Sequence, residues 1–196
     1  MTDRYQKYIA DYLKTFIHSS AKEIDFIRPH LSILEYKKKD FFLKQGEIQN
    51  EMGFVVKGLL RRYYINQKGN EITTGFIKEN EYVADYPAFI RQLKTKYYMQ
   101  CLEPTIIITL PFESIQKSYE TFHSGQLYGR LMAEKTLTVM NDRLESFFFN
   151  TAEERYLKFI EENQNIMQRV SLTHLASYLG IERQSLSRIR QRLSKK

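Results

Sequence analysis

Cysteine occurs once in the 196 residues, as Cys101. A single thiol excludes an intramolecular disulfide, a four-cysteine zinc site and a cysteine-ligated iron–sulfur cluster built from one chain. Its expected place is on a strand, as a small buried hydrophobe. Tryptophan is absent, and no apolar run approaches the roughly eighteen residues that a membrane span needs. The opening Met-Thr-Asp-Arg-Tyr-Gln lacks a secretory pattern, so the cytoplasm is the expected compartment and no membrane partner is expected. There is no G-x-S-x-G, no phosphate-cradling glycine loop and no H-E-x-x-H. His18, His30, His123 and His174 are scattered without metal-ligand spacing. These gaps argue against an enzyme and against a metal site, and no cofactor is expected.

What is present is apolar content and positive charge. With 42% hydrophobic and 14% aromatic residues the chain can bury a real core, and its length suits one large unit plus a small one. The net charge of +7 favours a polyanionic partner. From Arg183 onward stand Arg183, Arg188, Arg190, Arg192, Lys195 and Lys196 with no acidic residue among them, so the charge is concentrated at the end.

That end carries the most specific pattern. Leu172, Leu175, Ala176 and Leu179 fall at helical spacing after Ser171, whose hydroxyl can cap an orphan amide. Gly180 supplies the positive φ of a sharp helix exit. A second pattern places Leu186, Ile189 and Leu193 on one face and leaves Arg183, Gln184, Ser185, Ser187, Arg188, Arg190 and Arg192 on the other. Two short helices hinged at a glycine, the second one basic, read as a helix-turn-helix that inserts its second helix into the major groove of double-stranded DNA. Arg183 and Arg188 are the candidates for bidentate contact with guanine and Gln184 for adenine. Ser171, Thr173, His174 and Ser185 are candidate phosphate anchors.

Upstream, Tyr5, Tyr8, Ile9, Tyr12, Leu13 and Phe16 form an aromatic helical stripe. A second helix is expected from Ser20, with Ser20 and Glu23 at capping-box spacing, to about Pro29. Between Leu31 and Leu110 the period shortens. Strands are expected at Phe41 to Leu43, Gly53 to Val56, Leu59 to Ile65, Ile72 to Ile77, Tyr97 to Leu102 and Ile106 to Leu110. Turns fall at Gly46, Gly58 and Gly69, a spacing that suggests a sandwich or jelly roll. A long helix is expected from Ser124 to Phe149, where Ala133, Leu137, Met140, Leu144 and Phe147 alternate at intervals of four and three as in a coiled-coil seam. The same stripe would suit a helix packed on its own sheet. Pairing of two chains is the preferred reading, because a helix-turn-helix usually works as a pair. A further helix from Thr151 to about Asn163, acidic at Glu153 and Glu154, leads into the last unit.

In this order the elements resemble the Crp/Fnr family of bacterial transcription regulators. The resemblance rests on Phe42-Leu43-Lys44-Gln45-Gly46-Glu47, on Gly53-Phe54-Val55-Val56-Lys57-Gly58, and most specifically on Leu175-Ala176 through Gly180 to Arg183-Gln184-Ser185-Leu186-Ser187-Arg188-Ile189. It implies an α+β chain: a cyclic-nucleotide-binding-like jelly roll with N-terminal helices over residues 1–122, a dimerisation helix over 123–149 and a truncated winged helix-turn-helix over 150–196. It implies a homodimer on a palindromic operator, with RNA polymerase as a further candidate partner. Nucleotide-binding members hold the ribose with a Gly-Glu pair and the cyclic phosphate with Arg-Ser. Here Ala84 and Asp85 stand at the first place, Thr95 and Lys96 near the second, and Met140 and Asn141 where the purine would be met. A lysine lacks the arginine fork, so cyclic AMP is not the expected ligand and the effector is left unknown. After Leu193 only three residues follow, so the hairpin wing is expected to be missing. The competing reading is a ligand-binding or protein-interaction module whose last helices recruit a protein partner.

Overall fold

The computed structural model describes residues 3–16 and 19–194 of the chain; His18, Lys195 and Lys196 lie outside them. Eight strands form two antiparallel four-stranded sheets. They are β1 (Ser32–Tyr36), β2 (Phe41–Leu43), β3 (Glu51–Lys57), β4 (Leu60–Ile65), β5 (Glu71–Ile77), β6 (Tyr82–Val83), β7 (Tyr98–Cys101) and β8 (Thr105–Pro111). One sheet has the order β1-β8-β3-β6 and the other β2-β7-β4-β5. Apart from the β4–β5 hairpin, strands consecutive in the chain switch between the sheets, and Leu43, Val55, Leu60, Ile77, Val83, Met99, Cys101 and Ile107 meet as one buried cluster. Cys101 is a member of that cluster, and burial pushes its thiol up to about 11. The turns at Gly46, Gly58 and Gly69 all have positive φ.

The first sheet is covered on its other face by helices. Phe54, Ile108 and Leu110 pack against Ile9, Tyr12, Leu13 and Phe16 of α1 (Asp3–Leu13) and its extension, and against Ile27 and Ile115. Strand β8, Thr-Ile-Ile-Ile-Thr-Leu-Pro, is apolar almost throughout because both of its faces are covered. At the edge of this layer three phenols converge. Tyr82 meets Tyr128 at 2.5 Å and Tyr12 at 3.4 Å, while Phe16 stacks on Tyr128 with ring centroids 4.7 Å apart. Burial raises the Tyr12 and Tyr82 hydroxyls well above the ordinary phenol range, so all three stay protonated and can share hydrogen bonds.

Four elements escape the expectations drawn from sequence: β1, β6, the short α3 (Tyr86–Ile90) and α4 (Phe112–Thr121). The capping box expected at α2 (Ala21–Ile27) is only half formed. Ser20 Oγ accepts from the Glu23 amide, but the Glu23 carboxylate turns away and accepts from Ser118 Oγ at 2.7 Å and Ser124 Oγ at 2.5 Å. A buried carboxylate needs such donors, and these place its charge at the start of α5 (His123–Phe149), where the helix dipole favours an anion.

At 27 residues α5 is about 40 Å long. Its first turns press on α4 so closely that a Cβ at Gly129 would lie 2.7 Å from the Tyr119 ring, a space only glycine leaves open. Farther along it leaves the body of the molecule, and Leu137, Met140 and Leu144 are at least half exposed. The remaining helices are α6 (Ala152–Glu162), α7 (Leu172–Leu179) and α8 (Arg183–Leu193). Thr151 and Glu154 make a complete capping box at the start of α6.

Candidate nucleic-acid interface

Helix α7 starts where Ser171 accepts from the His174 amide at 3.1 Å and stops at Gly180, whose φ of +70° lets the Ile181 amide turn back to Ala176 O at 3.0 Å. Helix α8 then packs Leu186 and Ile189 into a core with Tyr156, Phe159, Ile166, Leu175, Ala176 and Leu179. With those side chains committed, α8 has no row of exposed apolar anchors to offer a groove on another protein.

The opposite face of α8 holds the charge. Arg183, Gln184, Arg188 and Arg190 are exposed, and among the described residues none of these three arginines lies within ion-pair distance of a carboxylate. Arg192 differs, being paired with Glu153 at the start of α6. Ser185 and Ser187 are half-buried, and Ser187 Oγ is tied to Arg183 O at 3.1 Å. Ser171 and Thr173 stand exposed at the start of α7.

Two arginines that the sequence reading did not single out hold the hinge. Arg143 of α5 donates to Tyr178 O, and Arg155 of α6 donates to Leu179 O at 3.0 and 3.2 Å and to Asn150 O at 2.6 Å. Cations at the C-terminal carbonyls of α7 satisfy orphan acceptors and oppose the helix dipole. Both guanidiniums also lie over the Phe147 ring, at 4.5 and 4.9 Å from its centroid. Phe147, one of the seam positions, therefore turns toward the hinge, and a Cβ at Gly180 would approach its ring to 2.8 Å. Burial lowers the Arg143 pKa, with Arg155 and Arg62 adding to the effect.

Helix α7 rests on the jelly roll. Arg61 of β4 is fully buried and donates to Glu71 at 2.6 Å, to Thr73 Oγ1 at 2.8 Å and toward His174 Nε2 at 3.1 Å. Ser177 Oγ accepts from the Thr73 amide at 2.9 Å. Below these, Arg169 forms paired bonds to Glu79 and to Glu103, at 2.7 to 3.2 Å. Replacing Arg169 with alanine leaves two carboxylates facing each other without their cation. Because the group is about one-quarter exposed, the expected loss lies below that of a fully buried pair, about 2–3 kcal/mol. Denaturant unfolding of the whole chain measures it, and a change within about 0.5 kcal/mol would assign the pairs to solvated surface.

The residues expected near an effector divide into two groups. Asp85 and Thr95 are buried together: Thr95 Oγ1 donates to Asp85 Oδ2 at 2.7 Å, and the Asp85 amide donates to Gln49 Oε1 at 3.0 Å. Ala84 is half-buried beside them. Lys96 is exposed, as are Met140 and Asn141 on α5, where Asn141 bonds Glu145 at 2.8 Å. Among the described residues no hydrogen bond joins Met140 or Asn141 to the Asp85–Thr95 pair. Of the seam positions, Leu137, Met140, Leu144 and Phe147 are exposed and Ala133 is half-buried.

Comparison with known proteins adds the following. Residues 33–122 match the family described as cyclic nucleotide-binding domain. The chain is 25% identical over 169 residues to the transcriptional activator protein anr of Pseudomonas aeruginosa, an alignment covering 78% of this chain and 66% of that one. The chain thus spans just under two thirds of that relative's length. Among solved structures it is similar to FixK2 from Bradyrhizobium japonicum, with a TM-score of 0.74 at 17% identity over 84% of this chain and 85% of that chain. It is also similar to a Crp/Fnr-family regulator from Eubacterium rectale, with a TM-score of 0.72 at 16% identity over 90% and 84% of the two chains.

Proposed function

We propose that the chain is a transcription regulator of the Crp/Fnr type rather than an enzyme, binding double-stranded DNA through α8 as a homodimer. The observation that carries the reading is the division of α8: Leu186 and Ile189 are buried while Arg183, Gln184, Arg188 and Arg190 share an exposed face without a carboxylate partner among the described residues. Arg183 and Arg188 read guanines, Gln184 reads an adenine, and Ser171, Thr173, Ser185, Ser187 and Arg190 meet phosphates; His174 and Arg192, expected from sequence to join them, are instead engaged by Arg61 and Glu153.

Residues 1–122 form the sensor unit, 123–149 the dimerisation helix and 150–196 the DNA-binding unit. The twofold axis runs along the exposed seam of α5, and the two copies of α8 enter major grooves one helical turn apart, about 34 Å. The operator is accordingly an inverted repeat. A protein of this kind works beside the chromosome in the cytoplasm and has RNA polymerase as a further partner. Its effector is not cyclic AMP. Asp85 is bonded to Thr95 instead of facing a ribose, and the exposed Lys96 offers a point charge where a bidentate cation is needed.

Selection of random duplexes with the purified chain tests the reading, and recovery of inverted repeats with one-turn spacing is the expected result. Recovery without sequence preference overturns it. Affinity for the recovered operator should fall by about a thousandfold between 50 and 200 mM salt if about six phosphates are neutralised in the dimer. A flat salt response would instead favour a protein partner.

A further inference from the structure

Helix α7 turns His174 and Ser177, three residues apart and so on one face, toward the jelly roll. The His174 ring is half-buried, and its neighbour across the interface is the fully buried Arg61 guanidinium at 3.1 Å from Nε2. A guanidinium is always charged and can only donate. The contact therefore requires Nε2 to be an unprotonated acceptor, with the ring proton on Nδ1, which is itself buried without a hydrogen-bond partner among the described residues. A second ring proton would set N–H against N–H and cation against cation. The charged groups that face the ring are Arg61 from β4 and Glu71 from β5, and Glu71 is already bonded to Arg61 at 2.6 Å. Helix α7 carries no other charged side chain.

We propose that this contact is a proton-operated latch: protonation of His174 releases α7 from β4 and β5 and frees the DNA-binding unit from the sensor. Other ties across the interface among the described residues include the Thr73–Ser177 bond, the Lys78 bonds to Glu162 O and Asn163, the Arg169 ion pairs and the contacts of the Phe76, Phe159 and Tyr178 rings, and none of them involves a histidine, the side chain whose charge changes most readily near neutral pH. Burial, and secondarily Arg61, lowers the His174 pKa in the docked arrangement, the direction the geometry demands. The undocked ring binds a proton more tightly than the docked one. Docking therefore keeps its full strength above the free imidazole value of about 6.5 and weakens as pH falls below it. A single proton changes the ratio of undocked to docked molecules by at most about tenfold per pH unit. The effect on DNA rests on the function proposed above: a released His174 is a cation at the phosphate-facing start of α7, so operator affinity rises on acidification.

The test uses the whole chain with paired labels at Lys68→Cys on the β4–β5 hairpin and Gln191→Cys on α8, both exposed, while Cys101 is buried and escapes labelling. Between pH 8 and pH 5.5 the long-distance population should grow several-fold. His174→Gln, whose amide oxygen accepts from Arg61 without titrating, should hold the short distance at both values. His174→Lys should show the long distance already at pH 8. A distance distribution in the unsubstituted background that ignores pH, or a His174→Gln variant that keeps the response, overturns the latch. The label distances need no DNA, so failure of the regulator reading would be seen separately, as absence of operator binding at every pH.

Discussion

Substituting Leu137 and Leu144 together by glutamate is expected to convert the protein to monomer at micromolar concentration and to reduce operator affinity by more than a hundredfold. The expectation comes from what α5 leaves uncovered. Leu137 is 70% exposed and Leu144 53%, with Val139 and Met140 also exposed nearby. An apolar row of that length on one helix is a liability unless a second copy covers it. Burying one leucine stabilises by about 1.5–3 kcal/mol, and a symmetric pairing buries each position twice. In the proposed homodimer the glutamates would remove that gain and place like charges face to face across the twofold axis. Neither leucine belongs to a buried cluster of the monomer, so the fold itself should be unaffected. Sedimentation velocity gives the oligomeric state and titration with labelled operator gives the affinity. A variant that stays dimeric and binds as before would remove α5 from the interface.

Replacing Arg188 by alanine should lower operator affinity by about 1–3 kcal/mol, roughly ten- to a hundredfold, and relax preference at one base position. Arg190, assigned to a phosphate, should behave differently: its alanine variant should weaken operator and random duplexes alike and reduce the salt slope by about one. Comparing the two variants on both duplexes separates base reading from backbone attraction. Equal losses for Arg188→Ala on operator and random DNA would take it out of the base-reading role.

The terminal helices were legible because their information is local. Apolar spacing in Leu172 to Leu179 and in Leu186 to Leu193, with Gly180 between, fixes two helices and their hinge without reference to anything distant. The turn glycines marked the sheet equally well. What escaped was either short or polar. Strand β1 is an edge strand that exposes three of its five residues, apolar Leu34 among them, so it lacks a clean two-residue alternation, and β6 has two residues. Helix α4 did carry a readable stripe, Phe112, Ile115 and Tyr119, but it follows directly from the apolar β8 and was lost in the change of period. Glu23 shows the deeper limit. Its spacing from Ser20 signals a cap, yet its carboxylate is used by Ser118 and Ser124, nearly a hundred residues away, which no local pattern encodes. Arg61 and Ser177, likewise, acquire meaning only once β4, β5 and α7 are in contact.

The three tyrosines at the edge of the first sheet also set a constraint on biosynthesis. Tyr12 leaves the ribosome early, whereas Tyr128, against which Phe16 stacks and to which Tyr82 is bonded, leaves only after the entire double sheet. The amphipathic segment that carries Tyr12 and Phe16 must therefore wait, part of its greasy face uncovered, until residues more than a hundred positions later have been made. Such long sequence separations slow folding, and that interval is when a nascent chain is most exposed to aggregation and to capture by chaperones.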